Sequence, residues 1–196
     1  MRRETVTLPS GPVELLVPLD PEALLDERAL GDAEFIPYWA ELWPSALALA
    51  AEVATRTVEL SGTRVLELGC GVGLVAISLA RAGAHVHATD WSADAVALTL
   101  DNAMRNDVAL EGAVADWFRA DSMPAGPFDL VVAADVLYER RNVAPLAALL
   151  PQLAPRAWVA DPGRAFTPDF LDAVAGRASR HDVGLGGTVS FYDLRF

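Results

Sequence analysis

The chain has 196 residues, of which 53% are hydrophobic, and a single cysteine, so it can form one compact domain with a sizeable core and no internal disulfide. Its formal net charge is −12 and all fifteen basic residues are arginine, which excludes lysine-dependent Schiff-base enzymes and P-loop hydrolases and argues against nucleic-acid binding. With no signal-peptide pattern and no apolar run of transmembrane length, we expect a cytoplasmic protein that does not bind membranes.

The first 36 residues form a predicted N-terminal extension that packs on a main domain at residues 37–196. Residues 4–17 contain two short strand patterns around a turn at Pro9–Pro12, and an acidic segment follows up to residue 36. Residues 43–56 are apolar round most of a helical circumference. This pattern predicts a largely buried helix with Pro44 in its first turn.

Short apolar runs then alternate with helical patterns. Strands are predicted at 64–68, 85–89, 113–116, 128–134 and 156–160, and helices at 73–82, 92–106, 142–153 and 167–177. Apolar strands of this kind occur in parallel sheets that helices cover on both faces. In the C-terminal segment, a Gly184–Gly187 turn between two β-rich stretches predicts an antiparallel pair. The expected fold is therefore α/β: a doubly wound, Rossmann-like, mostly parallel sheet with an antiparallel C-terminal hairpin.

A glycine-rich loop, "ELGCGVG", follows the first of these strands. It begins with Glu67, and Gly69, Gly71 and Gly73 occupy alternate positions. A dinucleotide fingerprint needs its third glycine three residues after the second, where Leu74 stands, and a P-loop needs a lysine. Glycines at alternate positions, preceded by an acidic residue, are typical of S-adenosylmethionine methyltransferases. The missing side chains let the backbone approach the methionine part of the cofactor. Another kind of strand-to-helix glycine turn is the alternative.

Further candidate cofactor residues stand at the ends of the next two strands. Asp90 ends the second strand, where nucleotide-binding units place the acid that binds the ribose hydroxyls; the alternative is that it caps the helix that begins near Ser92. Trp91 is expected to cover the adenine. At the third strand end, Asp116 is expected to bind the adenine amino group and Trp117 to form a second aromatic wall. For each tryptophan, packing in the core is the alternative.

These motifs and four further passages resemble class I methyltransferases of the seven-β-strand protein-lysine type. "PYWAELWPSALALA" resembles the tryptophan helix that precedes the glycine motif, with Trp43 over the cofactor, and "VADW" resembles the strand end on the adenine side. "ADVLYE" matches the DxxY motif as Asp135 and Tyr138, and the resemblance adds Ala134 to the cofactor residues. "ADPGRAF" is similar to a stretch in electron-transfer flavoprotein β-subunit lysine methyltransferases and nicotinamide N-methylase-like proteins. The resemblance covers residues 36–196.

The resemblance implies methyl transfer from S-adenosylmethionine to a lysine of a protein substrate. For an acceptor pKa near ~10.4, deprotonation at pH 7 costs about 4–5 kcal/mol. Positioning of the reactants contributes roughly 7–11 kcal/mol, so no strong base is required. We expect Asp135 to orient the amine by a charge-assisted hydrogen bond, unless it only binds loop amides. Tyr138, with Trp39 nearby, would offer a ring face to the cation.

Two other classes of function are weighed against the lysine methyltransferase. One is a methyltransferase that acts on a small nitrogen-containing molecule, and the other is a non-catalytic S-adenosylmethionine-binding module, against which the intact motif residues argue. No metal site is expected, because His85 and His87 share one face of a strand without a third ligand in the sequence. The oligomeric state is open, and a monomer is compatible with the sequence.

Overall fold

The computed structural model describes residues 1–21, 24, 37–174, 176–183 and 189–196. Among them, an antiparallel hairpin is formed by β1 (Arg2–Leu8) and β2 (Gly11–Val17). The strands of the main sheet are β3 (Arg64–Leu68), β4 (His85–Asp90), β5 (Glu111–Val114), β6 (Leu130–Ala134), β7 (Arg156–Asp161), β8 (Arg177–Val183) and β9 (Val189–Arg195). Their order is β5-β4-β3-β6-β7-β9-β8, and only β9 runs antiparallel to its neighbours. This topology confirms the predicted fold class.

Helices pack on both faces of the sheet. They are α1 (Pro44–Thr55), α2 (Thr57–Leu60), α3 (Leu74–Arg81), α4 (Ala93–Arg105), α5 (Val143–Leu153) and α6 (Thr167–Ala173). Successive strand residues point to opposite faces, so Val65 packs in the core with α1 and α3, whereas Leu66 packs in the core with α5 and α6. None of the helices in the described ranges combines the length and apolar character needed to cross a bilayer.

Two asparagines of α4 hydrogen-bond the N-terminal hairpin to the helical layer of the main sheet. Asn102 accepts from the amide of Leu16 at 2.8 Å and donates to its carbonyl at 3.0 Å. Asn106 makes the same pair of bonds with Glu14, at 3.0 and 2.7 Å. Each side-chain amide therefore satisfies the backbone of β2 as a neighbouring strand would. The boundary at residue 36 stays a prediction, since the acidic segment lies almost entirely outside the described residues.

Several predicted boundaries are wrong by two residues or more, among them the start of the strand predicted at 128–134, which begins at Leu130. The third strand of the sheet covers residues 111–114 rather than 113–116, because it pairs with His87–Asp90 of β4. The last helix ends at Ala173, not at residue 177, where β8 begins. Six of the seven residues of β8 are exposed, so this edge strand lacks the apolar alternation by which strands are recognised. The predicted Gly184–Gly187 turn lies outside the described residues.

Candidate active site

A cleft lies at the carboxyl ends of the central strands, where open α/β sheets bind ligands. Of the predicted site residues, those that line it are Trp43, Glu67, Gly69, Gly71, Asp90, Trp91, Trp117, Ala134, Asp135 and Tyr138. Gly73 and Asp116 do not line it. Residues that sequence reasoning did not assign to the site also contribute, among them Tyr38, Glu41, Leu42, Ala46 and Arg164. The structure thus brings most of the predicted residues together, and their individual roles stay predictions.

The glycine loop adopts a backbone that few other residues tolerate. Gly69, Gly71 and Gly73 have φ angles of 73°, 54° and 87°, all in the left-handed region. A Cβ on Gly71 would lie 3.2 Å from the carbonyl oxygen of Trp39, at the cleft wall. A Cβ on Gly73 would instead meet Thr99 of α4 at 3.0 Å. Gly73 therefore makes room for helix packing and for the start of α3, and its contact with a ligand stays a prediction.

Two buried carboxylates face the loop. Glu67 is 2% exposed, and its Oε2 has no hydrogen-bond partner among the described residues. Burial, with the nearby Asp90 carboxylate, raises the pKa of Glu67 well above its usual range. Asp90 is 4% exposed and accepts the amides of Gly71 at 3.1 Å and Ser92 at 3.0 Å. Burial raises the pKa of Asp90 to about 6, although these amide bonds oppose the shift.

The side of the cleft expected to hold adenine is aromatic. Trp91 and Trp117 both line it, and the buried indole Nε1 of Trp117 has no hydrogen-bond partner among the described residues. Asp116 lies outside the lining, and its Oδ1 accepts the amide of Phe118 at 2.9 Å. The carboxylate of Asp116 thus stabilises a local turn, and its contact with an adenine stays a prediction.

The opposite end of the cleft is organised around Asp135, which is 7% exposed. Its φ of 59° is left-handed, a conformation that aspartate tolerates better than most residues. Its Oδ1 accepts the Nε–H of Arg164 at 2.8 Å, and its Oδ2 accepts the hydroxyl of Ser45 at 3.4 Å. The described partners of the carboxylate are therefore side chains and not loop amides.

The loop after β7 holds Arg164 in place. Oδ1 of Asp161 accepts the amides of Gly163 and Arg164, both at 2.8 Å, and the hydroxyl of Thr167 at 2.6 Å. The guanidinium then lies 5.6 Å from the centre of the Trp43 ring. Sequence reasoning noted the "DPGR" passage but gave its arginine no role. A partial signal was available, because the strands at 128–134 and 156–160 were predicted to be parallel, and the residues that follow parallel strands lie at the same edge of the sheet.

An aromatic wall completes this end. The rings of Tyr38 and Tyr138 are 4.9 Å apart between centroids, and Tyr38 lies 6.3 Å from Trp43. The indole Nε1 of Trp43 donates to the carbonyl of Tyr38 at 2.7 Å, which fixes the ring. Burial, together with the Glu139 charge, raises the pKa of Tyr138 to about 12. The phenol is therefore protonated at neutral pH.

Comparison with known proteins places these residues in a family. The sequence model of a family described as lysine methyltransferase matches residues 38–158. Protein N-lysine methyltransferase METTL21A of Danio rerio is 33% identical over 121 residues, which cover 59% of this chain and 55% of that protein. The electron transfer flavoprotein beta subunit lysine methyltransferase of Xenopus laevis is 35% identical over 141 residues, covering 66% and 54%. The chain spans about half the length of these relatives.

Solved structures share the fold. A magnesium protoporphyrin IX methyltransferase from Synechocystis, with bound S-adenosylmethionine, has a TM-score of 0.62 at 19% identity, over 92% of this chain and 100% of that chain. The N-methyltransferase NodS of Bradyrhizobium japonicum, with S-adenosylhomocysteine, also has a TM-score of 0.62, at 17% identity over 89% and 97%. These findings confirm the predicted resemblance and the cofactor class. Since the family match covers more than half of the chain, the protein belongs to the lysine methyltransferase family, and it has the fold of these S-adenosylmethionine-dependent methyltransferases.

Proposed function

We propose that this protein transfers a methyl group from S-adenosylmethionine to a lysine side chain of a protein substrate. One observation carries the proposal: Asp135 and Tyr138 of the DxxY motif lie in the same cleft as Glu67 and Asp90. A carboxylate and an aromatic face suited to an amine are thereby placed beside groups suited to the cofactor. The lysine methyltransferase relatives support a protein lysine as the acceptor.

The residues of the cleft fit S-adenosylmethionine. A buried carboxylate oxygen without a partner, as at Glu67, is unfavourable unless a ligand donates to it, and the methionine ammonium is a donor of the right charge. Asp90 ends β4 beside the loop and is suited to the ribose hydroxyls, while Trp91 and Trp117 offer surfaces for the adenine. When bound, the cofactor supplies an electrophilic methyl group on a sulfonium.

At the acceptor end, the chain's own groups position an amine. Asp135 accepts one N–H of the amine, which directs the nitrogen lone pair toward the centre of the cleft. Tyr138 and Tyr38 present ring faces to the cationic centre that forms, a stabilisation of about 0.5–2 kcal/mol. Tyr138 is not a base at neutral pH, because its phenol is protonated. Positioning, at roughly 7–11 kcal/mol, therefore carries the reaction.

The test uses purified protein, tritiated S-adenosylmethionine and a desalted proteome of the source organism, read by gel fluorography. This chain contains no lysine, so label on its own band cannot be lysine automethylation. We expect a discrete labelled band that disappears with Asp135→Asn. Asparagine tolerates the left-handed backbone of this position, so this variant removes the charge without the strain that alanine would add.

The controls separate acceptor chemistry from folding. Asp101→Asn, which removes an exposed partner of Arg105 on α4, should leave the labelled band intact. Calorimetry should show that Asp135→Asn binds S-adenosylmethionine within about threefold of the unchanged protein, because Asp135 lies at the other end of the cleft. A band that persists in Asp135→Asn contradicts the role of Asp135. A blank gel with intact cofactor binding contradicts a protein substrate and directs the search to small amines.

A further inference from the structure

The acceptor end of the cleft already contains a cation. Arg164 donates from Nε to Oδ1 of Asp135 at 2.8 Å, and its guanidinium lies over Trp43. The ion pair with Asp135 raises the pKa of Arg164, so the guanidinium is charged at every pH at which the enzyme would be assayed. The carboxylate assigned to the acceptor amine is therefore neutralised before any acceptor enters.

The position of Arg164 is built into the fold. Its backbone amide is bound by Asp161, which is fully buried and also binds Gly163 and Thr167. Asp135, in turn, is held by a backbone hydrogen bond from its amide to the carbonyl of Ala160 at 2.9 Å. Asp135 thus follows β6 directly, and Arg164 lies in a loop whose amides are bound by the last residue of β7, so hydrogen bonds hold both partners of the ion pair in place.

We propose that Arg164 is a positioning residue that makes the acceptor end select the neutral amine form of lysine, an inference that rests on the proposed function. Oδ1 of Asp135 is occupied, which leaves Oδ2, where the contact from the Ser45 hydroxyl is long at 3.4 Å. A lysine ammonium there would be a second cation beside one carboxylate, and Arg164 would repel it. A neutral amine instead donates one N–H and retains its lone pair.

Methyl transfer to the neutral amine conserves atoms and electrons. The nitrogen lone pair forms the new C–N bond as the C–S bond breaks, and the electron pair of that bond stays on sulfur. The proton that the lysine loses on entry, or that the methylated nitrogen loses afterwards, goes to water. Repulsion from Arg164 lowers the pKa of the bound lysine, so a larger fraction of bound acceptor is reactive at pH 7.

Other ionisable groups surround this end. Asp161 and Tyr38 also raise the pKa of the Arg164 guanidinium. The remaining titratable groups that line the cleft are Glu41, Glu67, Cys70, Asp90 and Tyr138. Burial raises the pKa of the Cys70 thiol well above its usual value, and that of Tyr138 to about 12. All of these groups are present in every variant below, so a difference between variants reports on the charge at position 164.

The experiment compares pH–rate profiles. Initial rates of tritium transfer to the labelled proteome band are measured from about pH 6.5 to 9.5, which spans the range of a lowered lysine pKa. The proteome is supplied at concentrations at which the rate no longer rises with acceptor, so that the profile reports the pKa of the bound lysine. The variants are Arg164→Gln, which removes the charge, and Arg164→Lys, which keeps it. Arg105→Gln, which breaks a similar ion pair from Nε to Asp101 at 3.1 Å on the exposed face of α4, is the matched control. Label on the chain's own band is counted separately, because Arg164→Lys introduces a lysine.

We expect Arg164→Gln to move the acid limb of the profile by about one unit or more to higher pH, so that the rate falls roughly tenfold at pH 7 and recovers near the top of the range. Arg164→Lys and Arg105→Gln should keep the original midpoint. An unmoved midpoint in Arg164→Gln overturns the inference, as does a loss by the same factor at every pH, which a merely structural role would produce.

Two measurements keep the outcomes distinct. Thermal unfolding and the affinity for S-adenosylhomocysteine, expected within about twofold across the variants, verify that Arg164→Gln is folded and binds cofactor product. A blank gel with the unchanged protein overturns the proposed function, and the inference with it. A labelled band with an unmoved midpoint overturns only the role of Arg164 and leaves the lysine methyltransferase in place.

Discussion

The two ends of the cleft are built in different ways. The cofactor end is built mainly on one continuous stretch of chain, from Glu67 to Trp91, with Trp117 added from the next strand end, and it presents a left-handed glycine backbone and buried carboxylates. The acceptor end is assembled from side chains of distant segments, with Tyr38 against Tyr138 and Arg164 against Asp135. The shape of the cofactor end is therefore determined by backbone conformation, whereas that of the acceptor end is determined by a few side chains that can change without altering the loop.

The ends also differ in charge. At the cofactor end, Glu67 and Asp90 are buried without a cationic partner among the described residues. At the acceptor end, Asp135 is paired with Arg164. The first arrangement destabilises the empty protein and favours a cationic ligand, and the second is stable without one. Substitutions at the two ends should accordingly separate stability, cofactor affinity and turnover.

The largest effect is expected for Gly73→Ala. Its left-handed φ of 87° and a Cβ only 3.0 Å from Thr99 should together lower the free energy of unfolding by about 3 kcal/mol, as measured by urea denaturation. Gly62→Ala is the matched control, since Gly62 has a φ of 77° but nothing within 4 Å of the added Cβ. It should lose only about 1 kcal/mol.

Gly71→Ala distinguishes packing from ligand binding. Its added Cβ would displace the carbonyl of Trp39 at the cleft wall, so cofactor affinity should fall along with stability. The folded fraction of Gly73→Ala should bind S-adenosylmethionine with unchanged affinity in calorimetry. Equal losses of affinity in both variants would restore Gly73 to the predicted cofactor residues.

Asp90→Asn should weaken S-adenosylmethionine binding by about 10- to 100-fold, because a charged hydrogen-bond acceptor contributes about 1.5–3 kcal/mol. The same variant should stabilise the empty protein. The folded-state pKa of about 6 lies above the ordinary 3.8, so the stability that Asp90 contributes is present below about pH 4 and lost as pH rises through 6. At pH 7 the loss amounts to about 3 kcal/mol. Asparagine removes it but can accept only one of the two backbone amides, which costs about 1–3 kcal/mol, so the net gain in stability is at most about 2 kcal/mol.

Calorimetry and urea denaturation of the same samples check both halves of this prediction. Asp135→Asn is the comparison variant. Its affinity for S-adenosylmethionine should stay within about threefold of that of the unchanged protein, because the charge it removes lies at the acceptor end. If Asp90→Asn lost stability as well as affinity, the buried carboxylate would be a net stabilising group, and the contrast between the two ends would be wrong.

The affinity for S-adenosylhomocysteine should itself depend on pH. Between pH 7 and pH 5 Asp90 takes up a proton, since its pKa is about 6, and the Kd should rise by about tenfold. Glu67, whose pKa burial also raises, acts in the same direction. Near pH 6 binding should release protons, which calorimetry detects in buffers of different ionisation enthalpy. Asp90→Asn should flatten the dependence, and an equally steep dependence in that variant would assign the proton to another group.

Sequence reasoning predicted residues that line the cleft at both ends, but it missed the ion pair of the acceptor end, for a physical reason. The positions of Glu67, Gly71 and Asp90 follow from one strand–loop–helix–strand unit, in which local periodicity determines which residues reach the cleft. The contact of Gly73 with the ligand stays a prediction, and the spacing of glycines does not reveal which of them faces a helix. In the structure, Thr99 occupies that space.

The contacts of the acceptor end join residues far apart in the chain. Ser45 reaches Asp135 across 90 positions, and Arg164 reaches it across 29. The DxxY motif located Asp135, but no local pattern reports that an arginine neutralises it. Such a pairing depends on β6 and β7 being neighbours, which topology supplies and periodicity does not.

The smallest effect is expected for Tyr138→Phe, which should change the rate of transfer by less than about threefold. With a pKa of about 12, the phenol is protonated up to about pH 10 and cannot act as a base, so the pH–rate profile should superimpose on that of the unchanged protein. Tyr138→Leu, which removes the ring, should lose roughly 2- to 30-fold, the range of a cation–π contact. A tenfold loss in Tyr138→Phe, or a changed alkaline limb, would assign a proton transfer to the hydroxyl. The acceptor end would then act by acid–base chemistry as well as by positioning.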